Sequence, residues 1–320
     1  MKRKKITWFI LSALILLLLI FIFQNYPISS PPKNFTALSD TAHIRQSLAL
    51  ITGTPLPRQY KNTEVLDTVA GRIEQDFKHY SNNVYRQTYN AKGRTYHNII
   101  ASFGPQTAER IIVGAHYDVC GNQEGADDNA SGVAGIMELA RLLKDSLLQY
   151  RIDLVAYTLE EPPFFNTNEM GSYIHAKSLY DSGIKVKGMV SLEMIGYFSD
   201  TAGSQDYPLF PLKWIYGDTG NYITVVQKSL CGDFAKAFKK YSFENNSILT
   251  KSFRTPSFAG GVNLSDHKNY WRFGYSAVMI TNTAFFRNHN YHQTGDRITT
   301  LDIAKMARVI DGVFRTLMQY

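Results

Sequence analysis

The chain has 320 residues, a mass of 36.3 kDa, two cysteines and a formal net charge of +7. Hydrophobic residues make up 44% and charged residues 19%, a balance that excludes global disorder and allows a large buried core. Two cysteines exclude a disulfide-rich scaffold and a four-cysteine zinc module. Residues 2–5 are all Lys or Arg and carry four of the seven excess charges, so we predict no nucleic-acid partner.

An uncharged, mainly apolar run extends from Ile6 to Phe23. As a helix of about 27 Å it is long enough to cross a membrane. The basic residues before it predict a cytoplasmic tail (1–5), a transmembrane anchor (6–23) and an extracytoplasmic remainder, in the periplasm or at the cell surface. The alternative is a cleaved signal peptide and a secreted domain, although no A-x-A-like site follows the run. Residues 24–40 are rich in Pro, Ser and Asn and predict a linker.

Residues 41–320 are predicted to form one α/β domain. The predicted elements are helices at 41–53 and 63–80, strands at 84–89, 98–103 and 111–115, a helix at 133–143, strands at 152–159, 188–194 and 276–281, and a helix at 301–318. This alternation predicts a central mixed, largely parallel sheet flanked by helices. The stretch 200–265 is irregular and is predicted to be an insertion or long loops over one end of the sheet.

Acidic residues and histidines cluster where the predicted strands end. Each one alone is compatible with a purely structural role, but ligands of open α/β sheets bind beyond the carboxyl ends of the strands. Imidazole and carboxylate groups are both suitable zinc ligands. The candidates are His116, Asp118, Asp128, Glu160, Glu161, Glu193, His292 and Asp296. Their pattern predicts a metal site at one edge of the sheet.

Several short motifs occur in a fixed order along the chain. They are His116-Tyr-Asp118, Gly125-Ala-Asp-Asp-Asn-Ala-Ser-Gly132, Glu160-Glu161, Ser191-Leu-Glu-Met-Ile-Gly196, Ser265-Asp-His267 and Tyr291-His292. Together they resemble the M28 family of zinc peptidases, which includes bacterial aminopeptidases, and the resemblance spans about residues 41–318. It implies a zinc exopeptidase fold, two Zn²⁺ ions and a peptide substrate.

The resemblance also implies a role for each candidate ligand. His116 and Glu193 would hold one zinc ion, and Glu161 and His292 would hold the other. Asp128 would bridge the two ions. Many family members have Asp where Glu193 stands, but Glu offers an equivalent oxygen with a longer reach.

Three further acids receive roles beside the metal ligands. Glu160 matches the family's general base, which takes a proton from a metal-activated water. Asp118 matches the acid that orients the ring of His116. Asp296 is expected to support the loop of His292. Without cations, the four carboxylates of Asp128, Glu160, Glu161 and Glu193 would repel one another, which also predicts bound metal.

The resemblance leaves the activity partly open. An aminopeptidase is the leading hypothesis, and a carboxypeptidase is possible within the family. A glutaminyl-cyclase-like transferase and a non-catalytic binding ectodomain are alternatives on the same fold. Position alone suggests that residues 162–170, together with Tyr197, Phe198 and the aromatic stretch 207–222, wall a substrate pocket. Whether Cys120 and Cys231 pair is left open.

Overall fold

A nine-stranded sheet forms the centre of the computed structural model, which describes residues 2–257 and 261–320. The strands are β1 (Ser29–Ser30), β2 (Val84–Ala91), β3 (Arg94–Phe103), β4 (Arg110–His116), β5 (Arg151–Tyr157), β6 (Val186–Glu193), β7 (Ile223–Lys228), β8 (Thr250–Thr255) and β9 (Ala277–Thr281). The α-helices are α1 (Lys2–Asn25), α2 (Thr41–Thr52), α3 (Thr63–Lys78), α4 (Gly132–Leu143), α5 (Gly171–Asp181), α6 (Pro211–Tyr216), α7 (Gly232–Asn245), α8 (His267–Arg272) and α9 (Ile303–Leu317).

The strand order is β1-β8-β7-β9-β6-β4-β5-β3-β2. The central strands β9, β6, β4 and β5 run parallel to one another. Strands β2 and β3 form an antiparallel pair that joins the sheet beside β5. The prediction of a mixed, largely parallel sheet flanked by helices is therefore confirmed.

Apolar side chains of the central strands pack against helices on both faces of the sheet. In β4, Ile111 and Val113 pack with residues of α2, α3, α4 and α9, whereas Ile112 packs with residues of α5 and α8. Successive side chains of a strand point to opposite faces, so one apolar strand serves two layers. Each fully buried Val or Ile there contributes about 1.5–3 kcal/mol to folding. The parallel strands are thereby held firmly enough to position the loops at their ends.

The prediction for residues 200–265 was wrong over much of that stretch. It contains α6, β7, α7 and β8, and the two strands extend the sheet beyond β9. β7 pairs antiparallel with β9 and parallel with β8. Both strands are only six residues long and carry several polar residues. Their pairing depends on neighbouring strands, which local sequence patterns do not reveal.

The end of α1 contacts the domain directly. Among the described residues, Thr7–Asn25 is the one segment long and apolar enough to cross a membrane, with a mean hydropathy of 2.5. The Asn25 side chain donates to the Arg254 carbonyl at 2.9 Å and accepts from the Arg254 backbone N–H at 2.6 Å. Lys239 Nζ donates to the Asn25 carbonyl at 2.6 Å. The predicted linker then contributes β1, which pairs with β8.

Candidate metal centre

The candidate site lies where the parallel strands end. His116 is the last residue of β4, Glu193 is the last residue of β6, and Glu160 and Glu161 lie shortly after β5. β4 lies between β5 and β6 and runs parallel to both. The carboxyl ends of the three strands therefore meet at one edge, which is the usual ligand-binding edge of an open α/β sheet.

One half of the centre is built around His116. Its Nε2 atom lies 3.5 Å from Asp128 Oδ1 and 3.5 Å from Glu193 Oε2. All three side chains are buried. One potential ligand atom of each lies within 4.8 Å of the other two. The three residues predicted to bind the first metal ion are thus together.

The other half is built around His292. Its Nε2 atom lies 3.2 Å from Asp128 Oδ2 and 3.2 Å from Glu161 Oε2. Asp128 therefore presents one carboxylate oxygen to each histidine. This is the placement that a bridging carboxylate requires.

Asp296 and Asp127 hold the loop that carries Asp128. The backbone N–H groups of Asp127 and Asp128 donate to the two carboxylate oxygens of Asp296, at 2.8 and 3.0 Å. Asp296 thus contacts the bridging loop, and not only the loop of His292 that it was expected to support. The Asp127 carboxylate accepts hydrogen bonds from two backbone N–H groups and two Asn amides. Asp127 is therefore fully engaged away from the histidines.

Asp118 contacts both the Glu160–Glu161 loop and the His116 ring. Its carboxylate accepts hydrogen bonds from the backbone N–H groups of Glu160 and Glu161, at 3.2 and 3.1 Å. His116 Nδ1 lies 3.2 Å from the Asp118 carbonyl oxygen and 3.6 Å from its carboxylate. The carboxylate thus positions the Glu160–Glu161 loop, and the backbone carbonyl is the nearer partner of the His116 ring.

Arg58 was not predicted from sequence, but its side chain binds the segments that carry His116 and Asp128. Its side chain is 1% exposed. The guanidinium donates to the Tyr117 and Glu124 carbonyls, each at 2.8 Å, and to the Gly125 carbonyl at 3.1 Å. The first of these carbonyls follows His116 and the others precede the bridging loop. Arg58 therefore ties two ligand-bearing segments together.

The motif Ser265-Asp266-His267 also supports the centre. Ser265 Oγ donates to Glu193 Oε2 at 2.7 Å, which fixes that carboxylate. Asp266 is fully buried, and burial raises its pKa to about 7. His267 Nε2 lies 2.7 Å from the Val262 carbonyl, so its ring is engaged outside the centre.

Sequence analysis did not identify Cys120 as a candidate ligand. Its Sγ atom lies close to Glu161 and His292, with potential ligand atoms of all three within 4.8 Å of one another. Burial, together with the charges of Glu161 and Asp128, raises the pKa of the Cys120 thiol to about 11. Cys120 is half-buried and Cys231 is buried, and both thiols are free. In the sequence, the one indication that Cys120 could be a ligand is its position four residues after His116.

The four carboxylates of the centre outnumber the two histidines that face them. Within the described ranges, no Lys or Arg forms an ion pair with Asp128, Glu160, Glu161 or Glu193. Burial and the nearby charge of Asp128 raise the pKa of Glu161 to about 8. Burial also raises the pKa of Glu160 well above its usual range. Without a cation the cluster tends to retain protons, so divalent ions would neutralise it.

The side chains present fit a zinc centre. Asp128 Oδ2, Glu161 Oε1 and His292 Nε2 are buried atoms without a hydrogen-bond partner in the described structure. Such atoms are costly unless something binds them. Imidazole nitrogens and carboxylate oxygens are the ligands that zinc prefers, and Asp128 can serve both positions.

An apolar cavity opens beside Glu193. Tyrosines of the 207–222 stretch contribute to its wall, as predicted. Phe164 of the 162–170 segment does not, because it is buried against Tyr60 and Tyr96. The main lining residues are Tyr207, Leu212, Tyr222, Phe253, Met279 and Phe285. A bulky, uncharged group would therefore fit next to the metal centre.

Comparison with protein families and curated proteins gives consistent matches. Residues 98–317 match the model of peptidase family M28. The uncharacterized protein YfbL of Escherichia coli is 39% identical, and the alignment covers 98% of both chains. Leucine aminopeptidase 1 of Ajellomyces capsulatus is 26% identical over 65% of this chain. The match covers only 52% of that fungal protein's length.

Two groups of solved structures share the fold. The LapA aminopeptidase of Legionella pneumophila superposes with a TM-score of 0.68 at 19% identity, covering 88% of this chain and 69% of that one. A glutaminyl cyclase of Porphyromonas gingivalis gives a TM-score of 0.66 at 19% identity, covering 89% and 99%. At such identities the superpositions establish the architecture alone.

Proposed function

The chain belongs to peptidase family M28, and from this premise we propose that it is a zinc-dependent aminopeptidase. The observation that carries the proposal is the pair of histidines on either side of Asp128, each with a further carboxylate of its own. Two zinc ions held by these residues would share Asp128. The leucine aminopeptidase relatives support peptide-bond hydrolysis as the reaction class.

Glu160 is proposed as the general base. Bound zinc would supply a Lewis acid for the scissile carbonyl and would lower the pKa of a water molecule. Glu160 would take a proton from the attacking water and pass it to the leaving amine. Its Oε2 atom lies 3.9 Å from His116 Nε2, next to the first metal position. Asp118 would keep Glu160 and Glu161 in place through their backbone N–H groups.

The apolar cavity supports a preference for bulky, uncharged N-terminal residues. It is lined by Glu193 at one end and by aromatic and aliphatic side chains elsewhere. A substrate bound with its scissile carbonyl at the metal centre would place its first side chain in this cavity. Burying that side chain would favour binding by about 25 cal/mol per Å² of apolar surface.

Glutaminyl cyclisation is the second candidate function. The solved glutaminyl cyclase of P. gingivalis matches this chain over nearly its whole length, whereas the LapA match covers 69% of that enzyme. A non-catalytic binding ectodomain is the remaining alternative, and the clustering of the five proposed ligands with Glu160 argues against it.

A panel of reporter peptides tests the proposal. We expect release of free apolar N-terminal residues, no cleavage of N-blocked peptides, and loss of activity with a chelator. Pyroglutamate formation from an N-terminal Gln peptide would instead favour the cyclase. Release of C-terminal residues would indicate a carboxypeptidase, and inactivity of the metal-loaded protein on every peptide would indicate a binding ectodomain.

Metal analysis tests the ligand assignment independently of activity. The wild-type chain is expected to bind two zinc ions. His116→Ala and His292→Ala should each lower the zinc content, because each removes one ligand of a different ion. His79→Ala, on an exposed residue after α3, is the matched control and should keep the wild-type content. Full zinc loading of both site variants would refute the assignment.

We also propose that the apolar segment of α1 remains attached as a membrane anchor. A cleaved signal sequence can pass the same test of length and hydropathy, but here the helix end makes specific contacts with the domain through Asn25, Arg254 and Lys239. The basic residues ahead of the helix favour a cytoplasmic N-terminus and an extracytoplasmic domain. The full chain should stay in the membrane fraction after carbonate extraction, and release of a shortened chain would argue for cleavage.

A further inference from the structure

Cys120 occupies an unexpected position within the proposed metal centre. It lies in the loop after β4, and its Sγ atom, a Glu161 oxygen and a His292 nitrogen are within 4.8 Å of one another. The other cysteine, Cys231, is buried at the start of α7 and belongs to the large apolar core. Neither cysteine forms a disulfide. Cys120 therefore has a free thiol close to the proposed second metal position.

We propose that Cys120 supplies a sulfur ligand to the metal ion held by Glu161 and His292. This inference rests on the proposed metal centre and adds a donor that the centre otherwise lacks. Zinc binds sulfur at about 2.3 Å and nitrogen or oxygen at about 2.0–2.2 Å, so two of its ligand atoms are never more than about 4.5 Å apart. The three atoms lie within 4.8 Å of one another without an ion, which is near that limit.

The neighbouring atoms are available for such an ion. Glu161 is 4% exposed, and its Oε1 atom has no hydrogen-bond partner within the described ranges. His292 Nε2 likewise lacks a hydrogen bond there. These two atoms beside the thiol make no hydrogen bond, as expected for residues that converge on an ion, and their side chains meet in the 3.2 Å ion pair of Glu161 Oε2 with His292 Nε2.

Sulfur makes the two metal positions chemically different. The position of His116, Asp128 and Glu193 offers only nitrogen and oxygen ligands. The position of His292, Glu161 and Cys120 adds a soft ligand, which favours zinc, cobalt and cadmium over magnesium, calcium or manganese. When the metal–sulfur bond forms, the thiol releases its proton to solvent and no oxidant is involved.

Cobalt substitution tests the proposal directly. The purified full chain is loaded with Co²⁺, its cobalt content is measured, and the near-ultraviolet band of thiolate-to-cobalt charge transfer is recorded. Wild type and the matched control Cys231→Ser should both have the band. Cys120→Ser should lose it while keeping the visible ligand-field bands of bound cobalt. A wild-type protein with two bound cobalt ions and no such band would overturn the proposal, as would a band that survives Cys120→Ser.

The cobalt content separates this proposal from the function on which it rests. If no cobalt or zinc binds, the proposed metal centre is wrong, and the proposed sulfur ligand is wrong as well. If two ions bind and the charge-transfer band is absent, the sulfur ligand alone is wrong and the aminopeptidase proposal stands.

A second measurement needs no variant. The wild-type chain is alkylated with iodoacetamide with and without Zn²⁺, and the modified cysteine is located by mass spectrometry. Burial raises the pKa of the Cys120 thiol, so the reaction is run at alkaline pH until the metal-free protein is labelled at Cys120. We expect zinc to suppress that labelling, because a coordinated sulfur is a poor nucleophile. Equal labelling of Cys120 with and without zinc under these conditions would contradict the proposal. Cys231, which is 2% exposed, serves as the internal control and should remain unlabelled.

Discussion

Two buried clusters of acidic residues in this protein contrast sharply in how their charge is balanced. The first surrounds His43, between α2, α3 and α4. His43 Nδ1 lies 2.6 Å from Glu138 Oε2, and His43 Nε2 lies 3.1 Å from Asp76 Oδ1. Arg141 Nη2 adds an ion pair to Glu138 at 2.7 Å. Two carboxylates thus meet one arginine and one histidine, and the cluster is neutral without any ligand.

The second cluster is the proposed metal centre. Its four carboxylates face two histidines, and in the described part of the chain no Lys or Arg pairs with them. Asp128 and Glu161 each keep a buried oxygen without a hydrogen bond. In the first cluster internal cations balance the buried acids, whereas in the second the acids outnumber the groups that can balance them, which indicates a site for external cations.

Chelation should produce the largest difference between the clusters. Removing metal should abolish peptide hydrolysis and lower the free energy of unfolding, by about 2.7 kcal/mol per bound ion relative to protein at a zinc concentration of 100 Kd. Thermal unfolding and peptidase assays with EDTA, followed by added zinc, measure both effects. His43→Gln, which changes the other acidic cluster, is the control. EDTA should destabilise this variant by the same amount as it destabilises wild type. If peptidase activity persisted after complete metal removal, the proposed difference between the two clusters would be wrong.

Glu160→Gln should have the next largest effect. Loss of the general base should lower turnover by about 10²-fold or more, because proton transfer by a positioned side chain contributes about 10²–10⁴-fold. Zinc content should remain near that of wild type, since Glu160 is not among the proposed ligands. Glu64→Gln, at an exposed position in the first turn of α3, is the matched control. Wild-type turnover in the metal-loaded Glu160→Gln variant would remove Glu160 from its proposed role.

The five proposed ligands were predictable from sequence because each lies at a strand end or in a compact loop. A strand followed by His116 or Glu193 is a local pattern, and parallel strands bring such ends together. The role of Arg58 was not predictable, because it depends on three carbonyls from loops more than fifty residues away. Cys120 was missed for the same reason, since its neighbours Glu161 and His292 come from distant parts of the chain.

The fold was predictable to a similar degree. The parallel strands β4, β5, β6 and β9 are apolar and nearly fully buried, so their patterns are clear. β7 and β8 escaped prediction because short strands with polar residues gain their stability from their neighbours. Elements whose stability is local can be inferred from sequence, whereas those that depend on tertiary pairing cannot.

Arg58→Met tests whether a buried cation beside the proposed metal centre supports the loops that carry its ligands. Arg58 is a buried cation, but it neutralises no carboxylate directly and instead binds backbone carbonyls. Its removal would take away the donor of the Tyr117 and Glu124 carbonyls at about 1–3 kcal/mol each, whereas the Gly125 carbonyl keeps the Ala130 N–H, so we expect a loss of about 2–6 kcal/mol in the free energy of unfolding. Urea unfolding measures the change.

The exposed residue Arg45, replaced by Met, provides the control and should change stability by less than about 0.5 kcal/mol. Zinc affinity of Arg58→Met should also fall, because the loops that carry His116 and Asp128 lose their common support. If Arg58→Met matched the control in both stability and zinc affinity, the residue would have no positioning role.

The smallest expected effect is a pH dependence in the internally neutralised cluster. Asp76 and Glu138 raise the pKa of His43 from 6.5 to about 9. The protonated ring therefore stabilises the folded state fully below pH 6.5, and this contribution is lost as the pH rises through about 9. His43→Gln removes the titrating group. The stability difference between wild type and His43→Gln should be largest below pH 6.5 and should shrink steadily towards pH 9.

Urea unfolding of zinc-loaded protein at several pH values between 6 and 9.5 measures this difference. His79→Gln, at an exposed position just after α3, controls for the loss of a histidine and should follow wild type across the range. A difference between wild type and His43→Gln that stays constant over the whole range would mean that the His43 cluster is held together by packing and hydrogen bonds alone. Arg141, which stays charged throughout this pH range, would then be the one cation that balances the acids of the His43 cluster among the described residues.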